Sequence, residues 1–346
     1  MKLYAQHGHA DGEKSARGLE MGSIDGVIYG PKDISLGNLR SALQEMEESS
    51  PQADRLFDPQ VYAAFLATQA DSRMGHLAES YLQPEGYFSS RRRSQFESEE
   101  RVKDQLRRAI QFQQGLNLSA IISPNIYISS SCNSIEAAIS KSFLRFTKPI
   151  ANEVGTKLPV FATLAISRDA LVNVADYIDF LSDITVLDTP PDGFYLMVGA
   201  SKPDARSEIF NSDVIAGWML LNRTLSENGF RVINGYSDLI SPFLGIAGAE
   251  AGATGWWSNL RVFSLDRFSP ALPGGSLPTV RYLSQALLGR VSYFELEQIR
   301  AFFPAILNGL PTDTIYTDHD EPSRREEVYK HGRRSRRSMK ISLSEI

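Results

Sequence analysis

Residues 230–268 read FRVINGYSDLISPFLGIAGAEAGATGWWSNLRVFSLDRF, and this stretch decides the predicted fold. Two short apolar runs, Phe230–Asn234 and Ala253–Trp257, are each followed by glycine and polar residues. A segment rich in glycine and alanine, Leu239–Gly252, separates them and is predicted to be a closely packed helix. This order is typical of the last two units of a (β/α)8 barrel, in which the loops after the strands face a ligand.

Upstream, further apolar runs of strand length alternate with segments of helical period. The runs are Lys2–Gln6, Asp25–Tyr29, Ala53–Asp58, Ser119–Ser123, Pro159–Ile166 and Gly193–Gly199. The helical segments are Glu97–Gln114, Ile135–Phe146, Arg168–Leu181 and Asp213–Asn228. Strict alternation of this kind predicts parallel strands. The first run lacks the G-x-G-x-x-G turn of an open doubly wound sheet, so the sequence favours a closed α/β fold, a (β/α)8 TIM-like barrel.

The barrel is predicted to span residues 1–310. It includes a long lid-like insertion after the third strand, residues 59–96, and a terminal helix near residues 292–307. Loops of this length in a compact domain usually bind ligands or cover a site. Residues 311–346 are polar and basic, and they are predicted to form a flexible tail.

Composition indicates an ordinary soluble protein, with 42% hydrophobic and 22% charged residues. No apolar run is long enough to span a membrane, and the N-terminus turns polar after a few residues, so neither a membrane nor a secretory signal is expected. The single cysteine, Cys132, cannot form an internal disulfide. A cytoplasmic location is the expectation that follows.

The net charge of −5 conceals an asymmetry between the body and the tail. Residues 323–346 carry eight Lys/Arg and three Glu, a net of +5, which leaves −10 on the rest of the chain. An acidic body is a poor surface for nucleic acid, but the basic tail could contact phosphate or an acidic protein. The sequence leaves the oligomeric state open.

Three residues at predicted strand ends are candidates for proton transfer. Asp58 follows an apolar pair, and burial there would raise its pKa, although Asp-Pro is also a common turn. Asp238 closes the polar cluster NGYSD after the seventh strand. His7 follows the first strand and is predicted to be an acid–base or hydrogen-bonding residue.

The array His7-Gly8-His9 resembles the first metal-ligand pair of amidohydrolase barrels. Those barrels use further histidines after the fifth and sixth strands, and the corresponding segments here contain none. His7 and His9 are therefore weak metal candidates, and no metal is predicted. The sequence requires no cofactor.

A second group of residues is predicted to bind a small anionic or nucleotide-like ligand. Lysine and arginine would pair with the anion, glycines would let backbone N–H groups approach it, and an aromatic ring would stack on it. The group comprises Lys32, Asn125, Asn234, Gly235, Tyr236, Gly255, Trp256 and Arg261. The alternative is that the tryptophans fill the barrel top and that Arg261 pairs with Asp266 or Glu250.

Two further segments leave both a functional and a structural interpretation open. Arg91–Arg93 could steer an anion into the mouth or form a solvated charge run. The serines of residues 129–134 could hold an anion or cap a helix, and Cys132 among them has no obvious histidine partner for nucleophilic catalysis.

These features predict a barrel enzyme that acts on a small phosphorylated or nucleotide-like ligand by Asp/His acid–base chemistry. A lyase, hydrolase or glycosyl-transfer reaction, independent of metal, fits the residues best. The alternatives are a non-catalytic ligand-sensing or scaffold barrel and a nucleic-acid-processing enzyme. The paired aspartates and aromatics are similar to those of tRNA-guanine transglycosylases, but their cysteine cluster and glycine-rich motif are absent, so no family is assigned.

Overall fold

The computed structural model describes residues 1–9, 11–70, 72–201, 211–270, 281–307, 309–310 and 313–316. Within these residues, nine parallel strands form the main sheet and two more form a hairpin. The main strands are β1 (Lys2–Gln6), β2 (Gly26–Tyr29), β3 (Asp54–Phe57), β4 (Ile121–Ile122), β5 (Tyr127–Ile128), β6 (Val160–Ser167), β7 (Gly193–Gly199), β8 (Arg231–Gly235) and β9 (Ala251–Thr254). The hairpin consists of β10 (Arg281–Ser284) and β11 (Gly289–Ser292).

The main sheet curls into a barrel because its first strand pairs with its last. The strand order is β3-β2-β1-β9-β8-β7-β6-β4. β5 also pairs with β6, beyond the end of β4. β4 and β5 therefore count as one of the eight strands around the barrel. Across the seam between β3 and β4, the Ser119 N–H donates to the Arg55 carbonyl at 2.9 Å. The Arg55 N–H in turn donates to the Ser119 hydroxyl at 2.9 Å. The predicted (β/α)8 barrel is confirmed.

Helices connect the strands on the outside of the barrel. They are α1 (Lys14–Glu20), α2 (Leu36–Ser49), α3 (Glu99–Gln114), α4 (Ile135–Val154), α5 (Arg168–Val172), α6 (Val174–Thr185), α7 (Ser212–Glu227), α8 (Ser241–Ile246) and α9 (Tyr293–Phe302). The predicted helix Arg168–Leu181 is in fact two, because the chain leaves helical geometry at Asn173. No described helix is both long and apolar enough to cross a membrane.

Two predicted strands differ from the structure. The fourth is interrupted after Ile122 and resumes at Tyr127, and the side chain of Asn125 bonds to the backbone in the gap. The eighth is Ala251–Thr254 rather than Ala253–Trp257. The predicted helix before it is correspondingly shorter, because Gly248 adopts a φ of +98° and Gly252 packs on Ser241, where a Cβ would not fit.

Between β3 and α3 the chain forms the predicted insertion, which contains short 3-10 helices. They are Val61–Ala63, Leu66–Thr68, Gly75–Ala78 and Arg93–Glu97. Buried tyrosines fasten the insertion to the barrel: the Tyr87 hydroxyl donates to the Pro59 carbonyl at 2.8 Å and the Tyr81 hydroxyl to the Ile34 carbonyl at 3.0 Å. The Arg73 N–H reaches the Phe268 carbonyl at 2.8 Å. The insertion therefore joins the loop after β3 to the loop after β9.

The hairpin, α9 and two 3-10 helices, Pro304–Leu307 and Asp313–Tyr316, form what is here named the C-terminal unit, the described part of residues 281–316. Its own core consists of Tyr282, Leu296, Ile306 and Tyr316. Tyr316 belongs to the segment predicted as tail, but its side chain is buried in this unit. The rest of the predicted tail, residues 317–346, lies outside the described residues.

Candidate functional site

Arg267 lies at the centre of the barrel mouth, in the loop after β9. Its guanidinium forms an ion pair with Asp33 and donates to the Tyr236 hydroxyl at 3.0 Å. Only 4% of its side chain is exposed. Burial lowers the pKa of Arg267, but the nearby Tyr236 and Asp33 outweigh burial and hold it above its ordinary value. Arg267 is thus a permanent buried cation that links the loops after β2, β8 and β9.

Asp58 follows β3 directly and lies near Arg267. Its carboxylate accepts hydrogen bonds from the Tyr62 hydroxyl at 2.8 Å and from the Gln60 N–H at 3.0 Å. Burial raises the pKa of Asp58 to about 6, although those hydrogen bonds and Arg267 oppose the rise. Gln60 has a φ of 52°, so the Asp-Pro sequence also makes a turn. Asp58 can therefore exchange a proton close to neutral pH.

His7 follows β1 and stands beside Asp33 and Asp11. Its ring centroid is 5.0 Å from that of Tyr29. Burial lowers the pKa of His7, and the two aspartates oppose that change. A neutral imidazole at neutral pH can accept a proton, which suits a general base.

Lys32 stands half-buried at the edge of the mouth. Its backbone N–H donates to the Gln60 side chain at 3.1 Å, and a Cβ at Gly75 would lie 3.5 Å from its side chain. Burial lowers the pKa of Lys32, Asp33 raises it, and Arg267 and Arg73 lower it further. Lys32, Arg73 and Arg267 therefore lie on the same side of the mouth, and Asp33 pairs with Arg267.

Two buried nitrogen atoms here have no hydrogen-bond partner among the described residues. They are His7 Nδ1 and Arg267 Nε, and both side chains interact electrostatically with Asp33. Buried polar atoms in folded proteins are usually paired, because an unpaired one loses its hydration without compensation. One side of the mouth thus presents an unused guanidinium N–H and an unused imidazole nitrogen.

Asp238 lies in the loop after β8, apart from this group. Arg290 of β11 donates to its carboxylate at 2.6 Å, and Thr254 of β9 donates to the other oxygen. Burial raises the pKa of Asp238, but Arg290 outweighs burial and lowers it below the ordinary value, with help from Arg261. Asp238 is a fixed carboxylate, which does not suit the proton-transfer role predicted for it.

The loop that holds Tyr236 and Asp238 is conformationally strained. Tyr236 has a φ of 55° and Asp238 a φ of 35°. Residues other than glycine are uncommon in this left-handed region, and such residues cluster at active sites and ligand-binding loops. The strain marks this loop as a candidate functional element.

Two predicted ligand-binding amides, Asn125 and Asn234, do not reach the mouth. Asn125 donates to the Thr163 carbonyl at 2.6 Å and to Ser140 of α4 at 3.0 Å. Asn234 accepts from Trp218 of α7 at 2.7 Å and donates to Asn222 of the same helix at 2.7 Å. Both amides are buried against the outer helices and fasten those helices to the barrel.

The predicted glycines serve packing. A Cβ at Gly235 would collide with the Tyr195 hydroxyl, and a Cβ at Gly255 would collide with Leu260. Glycine at these two positions therefore makes room for the protein's own side chains rather than for a ligand.

Among the remaining predicted residues, Trp256 is buried, while its neighbour Trp257 lies at the rim with 38% of its surface exposed. Trp257 donates to the His9 carbonyl at 3.2 Å. Arg261 donates to the Trp256 carbonyl at 3.1 Å, and Glu250, one of its suggested partners, pairs with Arg231. These contacts agree with the interpretation that Trp256 fills the barrel top.

The other candidate chemistries find little support. No group of three His, Cys, Asp or Glu within the described residues is placed to hold a metal ion. Burial raises the pKa of the Cys132 thiol to about 12, which disfavours the thiolate. Ser134 caps α4, and Arg93 pairs with Glu136 at 2.9 Å instead of facing the mouth.

Comparisons with known proteins add only a likeness of fold. No family model matches the sequence, and no curated protein matches it. Among solved structures, the chain is similar to native xylanase 10B from Thermotoga maritima, with 9% sequence identity and a TM-score of 0.44. The match covers 78% of this chain and 91% of that one. A likeness at this level says nothing of activity, and the barrel assignment rests on the strand order.

Of the predicted site residues, Lys32, Asp58 and Tyr236 lie near Arg267, and His7 lies near Asp33; their roles stay predictions. The predicted site residues do not include Arg267, which pairs with Asp33 between them. Arg267 lies in the same post-strand loop as Arg261, so the rule that singled out Arg261 would have found it. Nothing in the sequence indicates that Arg290 reaches Asp238, because the two lie 52 residues apart.

Proposed function

We propose that the protein is a barrel enzyme that binds a small anionic ligand at its mouth and transfers a proton on it with His7 and Asp58. The observation that carries this proposal is one buried ion pair with both kinds of group around it: Lys32, Asp58 and Tyr236 lie near Arg267, and His7 lies near its partner Asp33. Groups whose pKa values are shifted by burial and by a specific charge partner in one cleft are candidates for catalysis.

In this proposal, the cations and the proton-transfer groups have separate roles. Arg267 offers its free Nε–H to an oxygen of a phosphate or carboxylate, and Lys32 adds a point charge at the rim. His7 removes a proton, since it is neutral near neutral pH. Asp58 donates one, since its pKa of about 6 keeps part of it protonated there. The exposed Trp257 could stack on a planar ring, which favours nucleotide-like ligands.

Access to the two proton-transfer groups differs. His7 and Lys32 are half-buried and open to a ligand at the rim, whereas Asp58 is only 1% exposed, beneath Tyr62 of the insertion. A ligand would bind at the rim first, and Tyr62 would have to move before Asp58 could act. Closure of a site in this way excludes water from the reaction.

The covered centre also favours a second candidate, a non-catalytic ligand-sensing or scaffold barrel. Asp58, Tyr62 and Tyr195 are all buried, and the cation at the centre already has a carboxylate partner in Asp33. In such a protein an anion would bind beside Lys32 and compete with Asp33 for Arg267. Binding without turnover would be the result.

A ligand screen followed by a turnover assay separates the two candidates. Thermal unfolding of the full chain is measured with phosphorylated metabolites, nucleotides and their uncharged analogues. We expect a charged compound to raise Tm, and Lys32→Ala to reduce that rise. Lys103→Ala is the matched control, because Lys103 is paired with Glu100 on α3.

The bound compound is then incubated with the wild type, His7→Asn and Asp58→Asn, and its conversion is followed by NMR. An enzyme should convert it in the wild type and lose at least about 100-fold in rate with either variant, the usual contribution of one acid–base group. Binding with no conversion would favour the sensing barrel. If no anion raises Tm, or if Lys32→Ala leaves the rise intact, the mouth is not an anion site.

A further inference from the structure

A chain of buried side chains joins Arg267 to Asp58. Arg267 donates to the Tyr236 hydroxyl at 3.0 Å. A hydrogen bond links Tyr236 to Tyr62, and Tyr62 donates to the Asp58 carboxylate at 2.8 Å. Both tyrosine rings also pack on Phe263, with centroid distances of 5.3 Å for Tyr236 and 5.1 Å for Tyr62. All of these side chains are buried, so the chain runs through the packed core of the mouth.

The hydrogen bonds of this chain run in one direction. A hydroxyl has one proton to donate and lone pairs that accept. Tyr62 gives its proton to the Asp58 carboxylate, so it accepts from Tyr236. The oxygen of Tyr236 accepts in turn from Arg267. Hydrogen bonds aligned in this way polarise one another, so the chain connects the positive charge at one end with the negative charge at the other.

The state of Asp58 depends on the charge of Arg267. Burial raises the pKa of Asp58 to about 6, while its hydrogen bonds and the charge of Arg267 lower it. Four tyrosines also face the carboxylate, and they are Tyr62, Tyr87, Tyr195 and Tyr236. Burial raises the pKa of all four, and the charge of Asp58 raises it further, so they are neutral near neutral pH. An anion bound at the mouth would therefore act on Asp58 through Arg267.

We propose that Tyr236 and Tyr62 are positioning residues that couple the anion site to the proposed acid, so that an anion on Arg267 and a proton on Asp58 bind together. This inference rests on the proposed function. The guanidinium Nε has no hydrogen-bond partner among the described residues, although Asp33 pairs with another nitrogen of the same group. An anion on Nε offsets the charge that favours the carboxylate, and Asp58 then takes a proton from solvent.

The coupling sets an order of events in the mouth. In the free protein Asp58 is mostly ionised at neutral pH, because its pKa of about 6 lies below that pH. Ligand binding protonates it, so the acid is ready when the ligand that receives the proton is in place. By linkage, a proton on Asp58 strengthens anion binding by the same factor. The anion should therefore bind more weakly as pH rises from 6 to 8.

Proton uptake on binding of sulfate tests the coupling. Sulfate keeps its double charge near neutral pH, so any proton taken up must go to the protein. Calorimetric titration of the full-length protein at pH 7, in two buffers with different heats of ionisation, gives the number of protons bound per sulfate. We expect up to about 0.9 proton, because a carboxyl with a pKa of about 6 is about one-tenth protonated at pH 7.

Variants identify the group that takes the proton and the path of the coupling. Asp58→Asn should bind sulfate without proton uptake. Tyr62→Phe and Tyr236→Phe should also bind sulfate, because the guanidinium is kept, but they should lose most of the uptake. Tyr81→Phe is the matched control. Its buried hydroxyl donates to the Ile34 carbonyl at 3.0 Å, outside this chain, so its loss should leave the uptake unchanged.

Each of four results would overturn the inference. Uptake that persists in Asp58→Asn would place the proton on another group, such as His7. Uptake that is unchanged in Tyr62→Phe and Tyr236→Phe would mean that the charge acts through space and that the tyrosines only fill the core. Sulfate binding without uptake by the wild type would remove the coupling and leave the anion site standing. No sulfate binding at any pH would contradict the proposed function itself.

Discussion

Two buried aspartate–arginine pairs lie at the mouth of this barrel, and they are built differently. Asp33 and Arg267 both belong to loops of the barrel, and Tyr236 and Phe268 pack around the guanidinium. Asp238 belongs to the barrel, whereas its partner Arg290 belongs to the C-terminal unit. The first pair joins parts of one core, and the second joins two bodies of unequal size.

The two pairs should therefore respond differently when one partner is removed. A buried ion pair adds little net stability compared with apolar packing. Removing one partner, however, leaves the other charge buried and unpaired, which costs several kcal/mol. Arg267 is 4% exposed and lies beside the rings of Tyr236 and Phe268, in the core of the mouth. Arg290 belongs to a unit with a small core of its own, so we expect it to leave Asp238 when that unit opens locally. We therefore expect the Asp33–Arg267 pair to act as a fixed brace of the mouth and the Asp238–Arg290 pair to act as a removable contact.

The largest effect is expected from breaking the fixed brace. Arg267→Met should lower the free energy of unfolding by about 3–5 kcal/mol, because Asp33 then stays buried without its partner. Urea denaturation measures the loss. Arg231→Met is the matched control, since its pair with Glu250 is 45% and 28% exposed and should contribute at most about 1 kcal/mol. Equal losses in both variants would show that burial of the pair has no consequence.

Two aspartates of the mouth should respond to pH in opposite directions. Asp58 has a folded pKa of about 6, above its unfolded value near 3.8, so the folded state binds the extra proton and stability falls as pH rises from about 4 to 6. Asp58→Asn should remove this pH-dependent loss of stability, which amounts to about 3 kcal/mol. The pKa of Asp238 is lowered, so its carboxylate stabilises the fold above pH 3.8 and that contribution is lost as pH falls below it.

Urea denaturation at pH 4 and pH 7 checks the effect for Asp58→Asn against the wild type. The free energy of unfolding of Asp58→Asn should increase relative to that of the wild type as pH rises. A difference between the two proteins that is the same at both pH values would mean that Asp58 keeps its ordinary pKa.

The smallest effect is expected from the removable contact. Arg290→Met should cost about 1.5–3 kcal/mol, the usual loss for a hydrogen bond to a charged group, because Thr254 and Arg261 still face Asp238. Hydrogen exchange should accelerate in β10, β11 and α9 and stay unchanged in β1–β3. Arg300→Met, which breaks a pair with Glu297 within the unit, serves as control. Faster exchange throughout the barrel would show that the two halves are one cooperative body.

Much of the fold was predictable because its signals are local. Strands β1 and β7 begin and end at the predicted residues, since each is an apolar run bounded by polar or glycine residues. The predicted bounds of β9 are wrong because AGAT has no bulky side chains, and its pairing with β1 and β8 is what makes it a strand. Asn234 and Asn125 were misjudged for another reason. The side of a strand on which a side chain lies depends on register, which a single polar residue does not reveal.

The centre of the site was predictable only in part. Proximity to the mouth follows from position after a strand, which is why His7, Lys32 and Asp58 were found. Pairing between distant loops, such as Asp33 with Arg267, depends on how the insertion and the last loop fold over the barrel. No local sequence pattern predicts that arrangement, so the pairing of charges at the mouth can be seen only in the structure.

The seam between β3 and β4 gives the barrel a mechanical character. Elsewhere neighbouring strands pair along ladders, with seven residue pairs between β6 and β7. At the seam no ladder joins the described residues of β3 and β4, and Arg55 instead bonds to Ser119 and to the Asn117 carbonyl. The insertion begins directly after β3, beside this seam. We expect any widening of the mouth to begin there, where a few hydrogen bonds take the place of a strand ladder.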